Sequence, residues 1–161
     1  MIAQSVGAVM VATWVHDYAP AIRGLVLASP AFKVKLYVPL ARPGLALWHR
    51  LRGLFFINSY VKGRYLTHDR QRVASFNNDP LITRAIAVNI LLDLYKTSER
   101  IVSDAAAITL PTQLLISGDD YVVHRQPQID FYQRLRSPLK ELHLLPCLLY
   151  TSPSPRDYAA S

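Results

Sequence analysis

The chain has 161 residues, 51% hydrophobic and 18% charged, which suits one domain with a packed core and excludes general disorder. Its one cysteine, Cys147, excludes a disulfide framework and a cysteine-rich zinc site, and suits a reducing, cytoplasmic setting. A formal charge of +7 favours anionic neighbours, lipid headgroups or nucleic acid, unless it is an ordinary solvated basic face.

The opening Met1 to Val15 is apolar but has no basic residue before it, so it does not read as a secretory leader. No charge-free apolar run reaches about 18 residues, so no membrane-spanning helix is expected. Met1–Ala3 is an apolar stub, and Val6 to His16, small and apolar without proline, reads as a buried helix that Pro20 stops. Leu25-Val26-Leu27-Ala28 is a short continuous apolar run ending at Ser29-Pro30, the pattern of a strand in a parallel sheet.

From Ala31 to about Asn78 prolines and glycines punctuate a basic stretch. Leu45, Trp48, Leu51 and Phe55 recur at helical spacing, with His49, Arg50 and Arg52 between them, and predict an amphipathic helix. Asn77-Asn78-Asp79-Pro80 reads as a helix start, with Asp79 as cap and Pro80 at the first position. A helix is then expected from Leu81 to about Tyr95, and another from Thr97 or Ser98 to near Ala107. Thr112–Ser117 is a second buried-strand pattern, Pro127 to Leu135 a helix, and Lys140 to Leu145 a third strand. Strand, helix, strand, insertion, helix, strand, helix, strand is the order of an α/β protein.

Two segments carry chemistry. In Ala3-Gln4-Ser5-Val6-Gly7 a serine follows an apolar stub and opens a long helix flanked by small residues. A hydrolytic serine needs such a strand-to-helix turn, which lifts its Oγ clear of the backbone at a helix N-terminus. The Val6 N–H would then give half of an oxyanion hole. The common form has Gly where Ala3 stands, and the alternative is an ordinary helix-capping serine. In Leu114-Leu115-Ile116-Ser117-Gly118-Asp119-Asp120, two acids stand at the carboxyl end of a strand, where a residue that orients a catalytic histidine belongs. Asp120 is the choice, because Val122-Val123 would pack its loop onto the core, and Asp119 is the turn residue. The alternative is a strand turn with two solvated carboxylates.

Together these segments resemble the α/β-hydrolases of the monoacylglycerol lipase, lysophospholipase and serine aminopeptidase group, over roughly residues 1–146. Arg23–Pro30 is similar to that group's strand after the elbow helix, Leu110–Thr112 with Ser117–Asp120 to its acid-bearing strand, and Ser137–Glu141 to its lead-in to the last strand. The resemblance implies the C-terminal part of an α/β-hydrolase sheet, parallel strands with flanking helices, plus a helical cap insertion. Residues 1–30 would hold the elbow, helix and following strand, and 31–107 the cap. Residues 108–146 would hold the acid strand, a helix and the last strand. The Ser/Pro-rich 147–161 would be artefactual or disordered, resembling translated sequencing adapter.

It further implies acyl-enzyme chemistry at Ser5 and Asp120 on a small acyl ester, with no cofactor and no metal. Two departures stand out. The group's earlier strands and its His-Gly segment, which gives the second oxyanion N–H, do not precede Ser5. After the last strand the group has a Gly and then the catalytic His, but Pro146 runs into Cys147. The chain is therefore expected to begin internally, to fold poorly alone and to be inactive alone.

None of the five histidines matches the base. His143 lies within the last strand, His16 ends the elbow helix, His49 and His68 belong to the cap, and His124 follows the acid loop. The cap mixes apolar residues (Tyr37, Leu40, Leu45, Trp48, Leu51, Phe55) with arginines, and either contacts an anionic membrane or packs its stripe onto the sheet. A related aminopeptidase would need an acid for its substrate's amine, and Asp69 or Asp79 could serve. The rival classes are a non-catalytic binding domain on the same fold and a basic membrane- or nucleic-acid-associated module; no nucleic-acid motif accompanies the basic residues.

Overall fold

A computed structural model describes residues 1–35, 41–58, 61–67, 69–118 and 120–146. The expectations on Tyr37, Leu40, His68, Asp119 and 147–161 lie outside the described residues.

Four strands form one parallel sheet: β1 (Ile2–Gln4), β2 (Leu25–Ala28), β5 (Thr112–Ser117) and β6 (Lys140–Leu145), in the order β1-β2-β5-β6. Gln4 pairs with Ala28, Ala28 with Leu115, and Ser117 with Leu145. The apolar stub is thus a strand, because Met1 O accepts from Val26 N–H at 2.8 Å and draws it into the ladder. Leu25, Leu27, Leu114 and Ile116 are fully buried while Val26 and Leu115 between them are half-buried. Alternate side chains leave opposite faces of a strand, so one face of the sheet carries the core.

That face is covered by α1 (Ser5–Tyr18), α4 (Val88–Ser103) and α5 (Arg125–Arg134). Ala8, Val9, Ala12 and Val15 of α1 and Ile101 of α4 join the core, and Phe131 of α5 lies with its ring 4.7 Å from that of Phe32. Val88, Leu91, Tyr95 and Ser98 recur every three or four residues on the buried side of α4. The Tyr95 hydroxyl donates to Val34 O at 2.7 Å.

Between β2 and α4 lie α2 (Ala41–Arg52), β3 (Phe56–Asn58), a short 3-10 turn (Gly63–Tyr65), α3 (Arg70–Asn78) and β4 (Ala85–Ala87). β3 and β4 pair antiparallel as a separate two-stranded sheet. The expected helix start at Asp79 is corrected here. Asp79 follows α3, and its Oδ1 accepts the Leu81 N–H at 2.9 Å, making an Asx turn instead of a cap. The chain then extends into β4, and Val88 N–H donates to Phe55 O at 3.0 Å before α4 begins. The two helices expected over 81–107 are therefore one, Val88–Ser103, followed by a 3-10 turn at Ala105–Ala107. α3 was not foreseen; Asp69 caps it, its Oδ1 accepting from Gln71 N–H (2.8 Å) and Arg72 N–H (3.4 Å). Both acids considered for an amine thus hold backbone amides.

Helix α2 rests against α4 through Arg42, whose guanidinium pairs with Glu99 and lies over the Tyr95 ring at 4.9 Å. Leu45 and His49 are half-buried on the same side, but Trp48 and Leu51 of the expected stripe are exposed. Among the described residues, no helix is long and apolar enough to cross a membrane.

Candidate active site

Strand β1 ends at Gln4 and α1 begins at Ser5 with no residue between them. Such a reversal of direction demands an unusual backbone, and Ser5 takes it: its φ is +54°. Left-handed backbone costs a non-glycine residue about 1–2 kcal/mol, and it persists only where surrounding structure enforces it. Here the enforcement comes from the β1–β2 pairing on one side and the buried Ala8, Val9 and Ala12 on the other. Ser5 O also accepts the Ala31 N–H at 3.1 Å. Val6 is exposed at the second position of α1, and first-turn amides have no acceptor inside their helix. A Cβ at Gly7 would meet nothing within 4 Å among the described residues. Ala8 and Ala12, both fully buried, are the small residues at the helix–sheet contact.

Asp120 stands in the loop after β5 and is only 8% exposed. Its Oδ1 accepts the N–H groups of Val122 (2.7 Å) and Val123 (2.8 Å). Its Oδ2 is buried and has no hydrogen-bond partner among the described residues. The loop is braced from outside by residues 33–35. Val34 and Val123 form an antiparallel bridge, Lys35 N–H donates to Val122 O, and His124 N–H donates to Lys33 O, both at 2.8 Å. The Lys35 Nζ donates to the backbone O of Asp120 at 2.6 Å. Buried Val123 fixes the loop to the core.

Because the strands are parallel, Ser5 and Asp120 both lie at the carboxyl edge of the sheet, with β2 between their strands. Two inter-strand steps separate β1 from β5 by roughly 10 Å. Ser29, just after β2, links the two sides: its N–H donates to Leu115 O at 2.7 Å and its Oγ accepts the Ser117 N–H at 3.2 Å. A cavity of about 220 Å³ opens beside the acid, lined by Lys35, Ser117, Gly118, Asp120, Tyr121, Val123 and Arg125.

No histidine among the described residues reaches the free oxygen of Asp120. His16, at the far end of α1, lies between Asp17 and Asp104. His49 Nδ1 is 2.9 Å from Gly53 O, and exposed His143 stands beside Gln113 and Glu141. His124 occupies the cap position of α5, where burial first, and then Lys33 and Lys35, hold its pKa below the ordinary value. Among the described residues no three His, Cys, Asp or Glu side chains gather as a metal-binding set. Lys35 is the contributor that sequence reasoning misses: Lys33-Val34-Lys35 has the alternation of a short edge segment but falls within the stretch expected to be cap.

The family model of the serine aminopeptidases, S33, matches residues 1–149. A curated Escherichia coli (strain K12) relative, "Uncharacterized protein YnbC", is 95% identical over 146 residues, covering 91% of this chain. The chain spans only 25% of that relative's length. Among solved structures, the monoacylglycerol lipase of Paleococcus ferrophilus superposes with a TM-score of 0.86 at 17% identity, over 99% of this chain and 63% of its own. A Saccharomyces cerevisiae monoglyceride lipase follows at 0.82 and 15%, over 99% and 57%. At such identities these lipases establish the fold: the parallel sheet and its helices are a part of the α/β-hydrolase fold. With the match spanning nearly the whole chain, this sequence belongs to the S33 serine aminopeptidase family of α/β-hydrolases.

Proposed function

We propose that the polypeptide bearing this segment is a serine esterase acting on a monoacylglycerol- or lysophospholipid-type ester, with Ser5 as nucleophile, Asp120 as acid and the Val6 N–H as one oxyanion donor. The observation that carries the reading is the left-handed backbone of Ser5 at a strand–helix junction of zero length. An ordinary capping serine has extended backbone and would not hold this strain. The unpartnered Oδ2 of Asp120 supports it further, since a buried acceptor of this kind calls for a donor. An imidazole N–H from sequence following β6, where the resemblance puts a histidine, would supply that donor.

In the reaction, the Ser5 Oγ attacks the ester carbonyl as its proton passes to the imidazole. The Val6 N–H stabilises the oxyanion, and the alcohol leaves with the imidazole's proton. Water, deprotonated by the same imidazole, then releases the carboxylic acid and restores Ser5. Asp69 and Asp79 each engage Oδ1 with backbone amides of their own turn, so neither is singled out as an amine-binding acid, and the ester reading is preferred.

A fluorophosphonate probe applied to the E. coli relative and to its variant with alanine at the residue aligned with Ser5 tests this. Labelling confined to the unsubstituted protein is expected. Labelling that survives the substitution puts the nucleophile elsewhere. No labelling of a folded protein favours a second reading, a non-catalytic binding domain on the same fold.

A further inference from the structure

Helix α2 turns Arg42, Leu45 and His49 toward the body of the protein and leaves its other side bare. At 3.6 residues per turn, Leu47, Leu51 and Trp48 fall within about 100° of one another on that bare side. They are 60%, 72% and 49% exposed, and Leu54 just beyond the helix is exposed with them. Arg50 lies about 60° beyond Leu47, and Arg52 about 40° beyond Trp48, so an arginine borders each edge of the apolar stripe. The Arg52 guanidinium lies 4.8 Å from the Trp48 ring centre. Neither arginine has a carboxylate partner among the described residues. Every Lys, Arg, Asp or Glu between Asp17 and Asp69 is basic, so nothing on this part of the chain offsets their charge.

We infer that this side of α2 is a docking surface for an anionic lipid bilayer. The charge pattern selects the partner. A helix with an apolar stripe edged by arginines lies in the interface plane, its apolar side chains among the acyl chains and its guanidinium groups at the phosphates. Nucleic acid would satisfy the arginines but leave Leu47, Leu51 and Leu54 in water. The surface goes beyond the esterase reading and does not depend on it, because none of these residues belongs to the Ser5–Asp120 site.

The test is co-sedimentation of the full chain with vesicles of phosphatidylcholine alone or mixed with phosphatidylglycerol. Trp48 fluorescence is read in a Trp14→Phe background, and far-UV circular dichroism checks each variant's fold. Binding is expected to the anionic vesicles only, weakening with salt, with a blue shift of Trp48. Arg50→Glu with Arg52→Glu should weaken partitioning roughly tenfold or more. Leu47→Ser with Leu51→Ser should abolish the blue shift while leaving weak, salt-sensitive adhesion. Ser5→Ala should bind unchanged, which separates this surface from catalysis. Five outcomes overturn the inference: no binding, equal binding to neutral vesicles, binding indifferent to the arginine substitutions, a preference for duplex DNA, or a Trp48 already blue-shifted without lipid. The last would mean that another protein surface covers the stripe.

Discussion

Lys35 and Asp120 are tied together: the Lys35 Nζ donates to the backbone carbonyl of Asp120 at 2.6 Å, while the Asp120 Oδ1 accepts the amides of Val122 and Val123. The acid loop is thus gripped by a residue far away in sequence. Replacing Lys35 by Met keeps its length and removes the donor. The amides of Val122 and Val123 should then exchange with solvent measurably faster while those of β5 do not. If Asp120 is the acid, the rate in a catalytically competent protein should fall by about ten- to a hundredfold, the effect of misplacing a reacting group by about 1 Å. Unchanged exchange at Val122 and Val123 would show that the Val34–Val123 bridge suffices.

Asp120 itself separates structural from chemical loss. Asp120→Asn retains an oxygen for the two amides and should fold much as the parent does. Asp120→Ala strands two amides, that of Val123 buried, and should cost about 1–3 kcal/mol in chemical denaturation. If Asp120 is the acid, both variants lose activity by several orders of magnitude, the asparagine form included, because it favours the wrong imidazole tautomer. An asparagine variant with near-parental esterase activity would sink that role.

The two residues of the candidate site differ in how far sequence reveals their local structure. Ser5 is legible because its requirements are local: an apolar strand, a small residue on each side and a helix, all within a few positions. Lys35 is not, because its bond to Asp120 spans 85 residues and neither end carries a signature. The same division runs through the fold. Leu25–Ala28 is a continuous apolar run and Thr112–Ser117 centres on Leu114-Leu115-Ile116; turn residues bound both, and both are strands of the parallel sheet. β3 and β4, three residues each, are too short for any alternation to register, and they displaced the expected helix start. Asn77-Asn78-Asp79-Pro80 misled because a helix cap and an Asx turn call for the same residues.

Ser5 stores strain that can be released. Ser5→Gly gives the φ of +54° to a residue that adopts it freely, whereas Ser5→Ala leaves the strain in place. Both variants remove the Ser5 hydroxyl. The glycine form should be more stable than the alanine form by about 1 kcal/mol, read from urea midpoints at constant slope. Equal stability, or a more stable alanine form, would mean that the junction relaxes and that the backbone at Ser5 is not enforced.

The far end of α1 carries a pH-dependent clamp onto α4. His16 Nδ1 meets Asp17 at 2.7 Å and Nε2 meets Asp104 at 2.8 Å, while Arg100 forks onto Asp17 at 2.7 and 2.9 Å. The hydrogen bond to Asp17 first, and then that to Asp104, raise the His16 pKa above 6.5 against the opposing effect of burial. Arg100 first, and then His16, hold the Asp17 carboxyl well below 3.8. A histidine whose pKa is raised by folding stabilises fully below its unfolded value, and that contribution is lost as pH rises through the folded value. A carboxyl whose pKa is lowered does the reverse, stabilising above its unfolded value and losing this as pH falls. The clamp is therefore complete between roughly pH 4 and 6.5 and weakens on both sides. Thermal midpoints should decline as pH rises above 6.5, and His16→Ala should flatten that decline while leaving the acid limb. Asp104→Asn should bring the His16 titration, followed by its ring proton resonances, back toward 6.5. A His16→Ala variant with the parental alkaline slope would place the pH dependence elsewhere in the chain.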